Sequence, residues 1–214
     1  MNAIIKNSLS AAVILGGFSL LGLGLTSLTF HKTEARILEN ERQALLTSLK
    51  AVIPDSLYDN DILNDTIEVS DLNQDPSKPA VIYRARKKGE PVAAVITTVT
   101  PNGYSGNIAL LVAVKTDGTI SGVRVIGHRE TPGLGDRIEI ERSDWILSFD
   151  GKSLDEPSQA QWAVKRDGGY FDQLTGATIT PRAVVAAVKN ALIYFKRNQA
   201  RIFSTSEPTS DGGN

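Results

Sequence analysis

Residues 108–127 read Ile-Ala-Leu-Leu-Val-Ala-Val-Lys-Thr-Asp-Gly-Thr-Ile-Ser-Gly-Val-Arg-Val-Ile-Gly, and the fold class turns on them. Ile108 to Lys115 and Ile120 to Ile126 are strand-like runs separated by a short polar stretch holding Asp117-Gly118. That pair is a strong hairpin signal, because both residue types tolerate the positive φ a tight turn needs. From 108 to 114 every position is apolar, so alternation leaves no polar face. The run is expected to be a central strand covered on both sides. Upstream, Val81-Ile82-Tyr83 and Val92 to Val99 flank Lys87-Lys88-Gly89-Glu90-Pro91, which predicts another hairpin. Downstream, residues 145–149 are expected as a short helix and Gln161 to Lys165 as a further strand. A final helix is well punctuated: Thr180 suits its N-cap, Pro181 its first position, and Val184, Val185, Val188, Leu192 and Phe195 recur on one face. The fold class is α+β, a mainly antiparallel sheet with packed helices.

The other end of the chain has a different character. No residue between Lys6 and Lys32 carries a formal charge, and 9–30 is mostly Leu, Ile, Val, Ala and Gly. As a helix these residues would measure roughly 33 Å against a hydrocarbon core of about 30 Å. A cleaved signal peptide would have a shorter apolar stretch and a small-x-small cleavage site, which Thr26-Ser27-Leu28-Thr29-Phe30 does not provide. The expectation is one N-terminal transmembrane helix ahead of the sheet domain. Lys32, Arg36 and Arg42 follow the span, and Lys6 and the α-amine precede it; a naive positive-inside count puts the later domain in the cytoplasm, but long domains often escape that rule. Thr33 to Lys50 reads as a helix leaving the membrane, ended by Pro54, and 55–79 as irregular connection rich in Asp, Asn and Pro. The resulting plan is 1–8 N-terminus, 9–30 anchor, 31–79 juxtamembrane helix and connection, 80–203 domain, and 204–214 disordered tail.

Composition removes several chemistries. The 214 residues hold 23 Lys+Arg and 24 Asp+Glu, a net charge of −1, which argues against a nucleic-acid partner. There is no Cys, so disulfides, thiolate nucleophiles, Cys-ligated zinc and iron–sulfur clusters are impossible on this chain. Histidine occurs only at 31 and 128, which excludes a His-rich metal site. Neither a Gly-x-Ser-x-Gly elbow nor a phosphate-cradling Gly-x-x-x-x-Gly-Lys-Ser/Thr loop occurs.

Three loops carry whatever chemistry there is. Thr175-Gly176-Ala177-Thr178 precedes the last helix, where small residues and unpaired N–H groups favour a phosphate; alone, the same four residues read more readily as a capping turn. His128-Arg129-Glu130-Thr131-Pro132-Gly133-Leu134-Gly135-Asp136 follows a strand. Its His128, Glu130 and Asp136 read as salt-bridging residues more readily than as metal ligands. Asn102-Gly103-Tyr104-Ser105-Gly106 is a turn with an exposed Tyr.

Taken in order, these loops resemble the FMN-binding domain family shared by the G subunit of the Rnf (Rsx) ion-translocating oxidoreductase and the C subunit of the sodium-translocating NADH:quinone reductase. The resemblance covers the anchor, 103–106, the strand pair through His128, Glu-Thr-Pro-Gly-Leu-Gly-Asp (130–136) and Asp-Gln-Leu-Thr-Gly-Ala-Thr-Ile-Thr (172–180). It implies an FMN attached by a flavin transferase through its phosphate to Thr178, with Thr175, Gly176 and Ala177 completing the motif. It also implies that Gly103, Tyr104 and Ser105, together with His128, Glu130, Thr131, Leu134 and Gly135, border the isoalloxazine. No catalytic side chain and no metal are expected. The implied protein is a membrane-anchored electron-transfer flavoprotein, with its domain in the periplasm and 1–8 in the cytoplasm. Its implied partners are the other subunits of an Rnf-type complex coupling electron flow to ion translocation, and the lipid bilayer. The alternatives are the equivalent quinone-reductase subunit, which is a longer chain, and a periplasmic flavin-dependent sensor or binding module.

Overall fold

The computed structural model describes residues 2–73 and 79–204, so the tail expected at 204–214 lies outside the described residues beyond Ser204. Helix α1 runs from Asn2 to Val52 without a break, so the expected anchor and juxtamembrane helices are one element. Pro54, which cannot continue a helix, follows its end. Residues up to Leu45 form one unit and those from Leu46 a second. Strands β1 (Thr66–Val69), β2 (Ala80–Lys87), β3 (Glu90–Gly103), β4 (Gly106–Lys115) and β5 (Ile120–Gly127) form a five-stranded sheet in the order β1-β2-β3-β4-β5. Every pairing is antiparallel. Helix α2 spans Ile179–Phe203.

Both expected hairpins are present. The β2–β3 turn places Lys88 at φ 54 and Gly89 at φ 83, the left-handed pair that suits a two-residue hairpin. In the β4–β5 turn, Asp117 Oδ1 accepts the Thr119 amide at 2.8 Å and Gly118 takes φ 85. The two-sided burial of β4 also holds. Ile108, Leu110, Val112 and Val114 join the core formed with α2, through Val184, Val185, Val188, Leu192 and Phe195. Leu111 and Ala113, of opposite parity, are equally buried but outside that core, as are Leu49, Val52 and Ile53 at the end of α1. Close approach of this second layer depends on Gly122, where an added Cβ would lie 2.9 Å from the Val52 carbonyl oxygen. The middle strand is nevertheless β3, because β1 adds an edge beyond β2.

Three local expectations are corrected. Strand β1 lies inside the stretch read as irregular: four residues among Asp and Asn are too few to show a period, and pairing with Ala80–Tyr83 makes the strand. Gln161–Lys165 is not a strand but two short 3₁₀ turns, Gln159–Gln161 and Lys165–Asp167, with a single parallel bridge from Val164 to Phe171. Trp162 and Val164 are both buried, which mimics a two-residue period. Gly168 then turns the chain back, and the Gly169 amide bonds locally to the Val164 carbonyl. Finally, the cap of α2 is Thr178, not Thr180.

The far end of α2 is held by the sheet. Arg84 Nη1 donates to the carbonyls of Ser204 (3.1 Å) and Ile202 (3.5 Å), and Arg86 Nη2 to that of Phe203 (3.3 Å). These are the carbonyls a helix leaves unpaired at the negative end of its dipole. Asp65 faces both arginines: Arg86 Nε donates to it at 2.8 Å, while Arg84 Nε lies 2.5 Å away as an ion pair without hydrogen-bond alignment. Asp65→Ala therefore leaves two guanidinium groups without their carboxylate beneath α2. The expected loss is about 2 kcal/mol, below the roughly 3–5 kcal/mol for breaking a fully buried pair because Asp65 is partly exposed. The denaturant midpoint of the full chain measures it.

Candidate functional site

The three loops singled out from the sequence converge at the start of α2. The first is the β3–β4 hairpin tip, where Gly103 pairs with Gly106 across the two-residue loop Tyr104-Ser105. The second follows β5. There the Thr131 carbonyl accepts the amides of Leu134 (3.2 Å) and Gly135 (3.0 Å), with Pro132 second and Gly133 (φ 77) third in the turn. This is the pattern of a type II turn, which needs a left-handed residue at its third position. The third is the turn Leu174-Thr175-Gly176-Ala177, closed by the Ala177 amide on the Leu174 carbonyl at 3.1 Å, with Gly176 at φ 83.

Side chains anchor this last turn at its entrance. Trp145, on the short helix Asp144–Phe149, donates its indole N–H to the Asp172 carbonyl at 2.7 Å. Its ring packs edge-on against Phe149, which stacks on Phe171. Leu174 is buried, whereas Thr175 and Gly176 are exposed. Thr178 stands at the N-cap with no side-chain capping bond. Beyond it the first-turn amides of α2 lack intrahelical acceptors and form the positive end of the dipole. Pro181 has no amide to leave unpaired. Arg182, in the first turn of α2, is engaged by Asp167: its Nε and Nη2 donate to the two carboxylate oxygens, each at 2.6 Å. Those bonds hold the Asp167 carboxyl below its ordinary value.

Between the loops lies a cleft of about 400 Å³ lined by Tyr104, Glu130, Thr131, Leu134, Gly135, Gly176, Ala177, Thr178, Ile179 and Thr180. That volume is within the roughly 300–1,000 Å³ of small-ligand sites. Ser105 and His128 face a different cleft, on the other side of the hairpin tip. Gly103 and Thr175 line neither; Gly103 carries the hairpin and Thr175 its own turn. His128 is tied down at both ring nitrogens: Nδ1 accepts the Glu130 amide at 2.9 Å, and Nε2 lies 2.9 Å from Glu139 Oε1. Among the described residues no group of three or more His, Cys, Asp or Glu is arranged to hold a metal.

Glu130 is the buried polar residue at the junction, 4% exposed. Its Oε1 accepts the Ser105 amide at 2.9 Å and its Oε2 the Tyr104 amide at 3.2 Å. The Thr180 hydroxyl donates to the same Oε2. Sequence reasoning gave Thr180 to the helix cap and so missed this contact. It also passed over Ile179 and Trp145, which carry no polar pattern of their own.

Comparison with known proteins agrees with the geometry. The FMN-binding domain model matches residues 103–193, and the RnfG N-terminal region model matches 1–52. Three relatives are each described as the G subunit of an ion-translocating oxidoreductase complex. The protein from Pseudoalteromonas atlantica is 49% identical, over 95% of this chain and 93% of its own. That from Pseudomonas aeruginosa is 48% identical, over 94% and 95%, and that from Vibrio cholerae 42%, over 97% and 98%. The chain belongs to the RnfG family. Apart from residue 102, all three convergent loops, and with them the residues lining the cleft, fall inside the FMN-binding match.

The cleft has a built-in test of its geometry. Gly176 at φ 83 cannot become Ala without left-handed strain, and an added Cβ would sit 2.9 Å from Leu134 Cδ2. Gly176→Ala should cost about 1–2 kcal/mol and reduce FMN content by displacing Leu134, which lines the same cleft. Gly118→Ala, at φ 85 with nothing within 4 Å, should carry similar strain with FMN content intact. Denaturant midpoints and flavin absorbance of the two variants separate strain from site.

Proposed function

We propose that this chain is the membrane-anchored flavoprotein subunit of an ion-translocating oxidoreductase complex, relaying electrons through an FMN joined by its phosphate to Thr178. The observation that carries the reading is the position of Thr178: at the N-cap of α2, in the wall of the cleft, with no side-chain capping bond. The donor set fits a phosphodiester, because amides at a helix N-terminus favour a fixed negative charge. The walls fit an aromatic ring system, with Leu134, Ile179 and Tyr104 presenting exposed apolar surface around the cleft. Thr180 is unsuited to attachment, being 1% exposed and hydrogen-bonded to Glu130.

FMN would supply the redox chemistry; the protein's part is binding, orientation and electrostatics. Thr178 would tether the phosphate, the α2 amides neutralise it, and Leu134, Ile179 and Tyr104 exclude water from the ring. No side chain here need act as acid, base or nucleophile toward a diffusible substrate. A flavin transferase would perform the attachment, and a tether suits a cofactor held in the periplasm, where a lost flavin could not be recaptured.

Among the described residues no helix is long and apolar enough to cross a membrane. The stretch 11–27 of α1, uncharged throughout, would span about 25 Å of helix, against roughly 30 Å of hydrocarbon. Within it Val13, Leu15, Phe18, Leu20 and Leu23 are each more than half exposed. Such surface requires lipid or protein cover. With the apolar sequence continuing on both sides, this supports a single-pass anchor in the inner membrane that packs on other subunits of the complex.

Mass analysis of denatured protein, made with the transferase present, tests the reading. Wild type should gain FMN minus water on the peptide holding Thr178. Thr178→Ala should fold but carry no covalent flavin, and Thr180→Ala should still carry it. Flavin retained by the Thr178 variant after denaturation would overturn the assignment.

A further inference from the structure

We infer that Glu130 is the positioning residue that closes the flavin cleft, and that its negative charge holds the flavin potential down. The inference rests on the FMN reading above. Three parts of the chain distant in sequence meet at this one carboxylate: the Tyr104 and Ser105 amides of the hairpin tip, the turn that carries residue 130, and the Thr180 hydroxyl in the first turn of α2. The neighbouring glycines leave room for it and little else. A Cβ at Gly103 would lie 2.7 Å from Glu130 Oε1, and one at Gly135 would lie 2.8 Å from Glu130 Cβ and 3.1 Å from Thr180 Oγ1. Residue 130 is fixed from behind as well, its amide donating to His128, which is held in turn by Glu139.

The side chain lines the same cleft as Thr178. A carboxylate beside a redox ring opposes added electrons, and in a low-dielectric site that opposition is stronger than in water. Its three donors spread the charge without cancelling it, since two are backbone amides and one a hydroxyl. A residue that only braced the loops would act through shape alone. A residue that also sets the potential must respond oppositely to loss of its charge and to loss of its hydrogen-bond donor.

Glu130→Gln and Thr180→Val make that distinction. Gln keeps the shape but removes the charge, and its side-chain nitrogen is a donor, which leaves one oxygen to accept from the hairpin amides and Thr180. Val at 180 removes one donor and leaves the carboxylate charge less compensated. In full-length flavinylated protein, the midpoint potential of the flavin should shift positive in Glu130→Gln and negative in Thr180→Val. Potentials that move in the same direction, or do not move, overturn the inference. If Glu130→Gln does not accumulate as folded flavoprotein, Thr180→Val decides alone: a negative shift supports the charge role and an unchanged potential refutes it. Amide exchange in flavin-free protein gives a separate readout of the clamp, with Tyr104 and Ser105 protected in wild type and exchanging at least tenfold faster in Glu130→Gln. Equal protection in both would overturn the positioning role whether or not FMN binds. Absence of covalent flavin from wild type would instead defeat the cofactor reading and leave the exchange result standing.

Discussion

Burial of β3 and β4 on both faces is the constraint on which the rest of the domain depends. A five-stranded antiparallel meander can leave one face to water, but a run such as residues 108–114, apolar at every position, cannot. One side of the sheet takes α2, and the other holds buried residues of opposite parity, with Leu49 and Val52 of the last turns of α1 buried outside the α2 core. The domain therefore includes the end of the long helix. Residues 46–52 belong to the same compact unit as the sheet.

The placement of α2 follows from the same requirement and produces the site. Its C-terminal carbonyls are held by Arg84 and Arg86 at one end of the sheet. Its N-terminus lies beside the β3–β4 hairpin tip, where Thr180 reaches the carboxylate that binds the hairpin. A rigid 25-residue helix fixed at both ends puts Thr178 in a defined position without needing a side-chain cap. The free hydroxyl is a consequence: Thr180, two residues further on, has its hydroxyl committed to Glu130, while Thr178 has not.

Much of this was legible in the sequence, for identifiable reasons. The hairpins around Lys88-Gly89 and Asp117-Gly118 were readable because a positive φ restricts residue type. The inward face of α2 was readable because a 3.6-residue period over many turns is hard to produce otherwise. The three loops stood out by composition, and their resemblance to a family supplied an order that composition lacks. What escaped was set by contacts distant in sequence. β1 is a strand only because β2 offers an edge. Trp162 and Val164 imitate a strand because two buried residues at a spacing of two look the same in a turn that folds back on Phe171. Thr180 looked like a cap because the residue beneath it, Glu130, is fifty positions away.

That last error has a physical lesson for the site itself. Capping arguments assume that a Thr beside a helix start uses its hydroxyl on the nearest amide. Here a buried acid competes and wins, because a carboxylate taken out of water must find donors or lose far more than a cap is worth. Glu130 collects three, and in doing so draws two loops onto the helix that would otherwise be joined only by backbone. The cleft is thus a by-product of satisfying one buried acid. Its walls are the residues left around that junction, Thr178 among them.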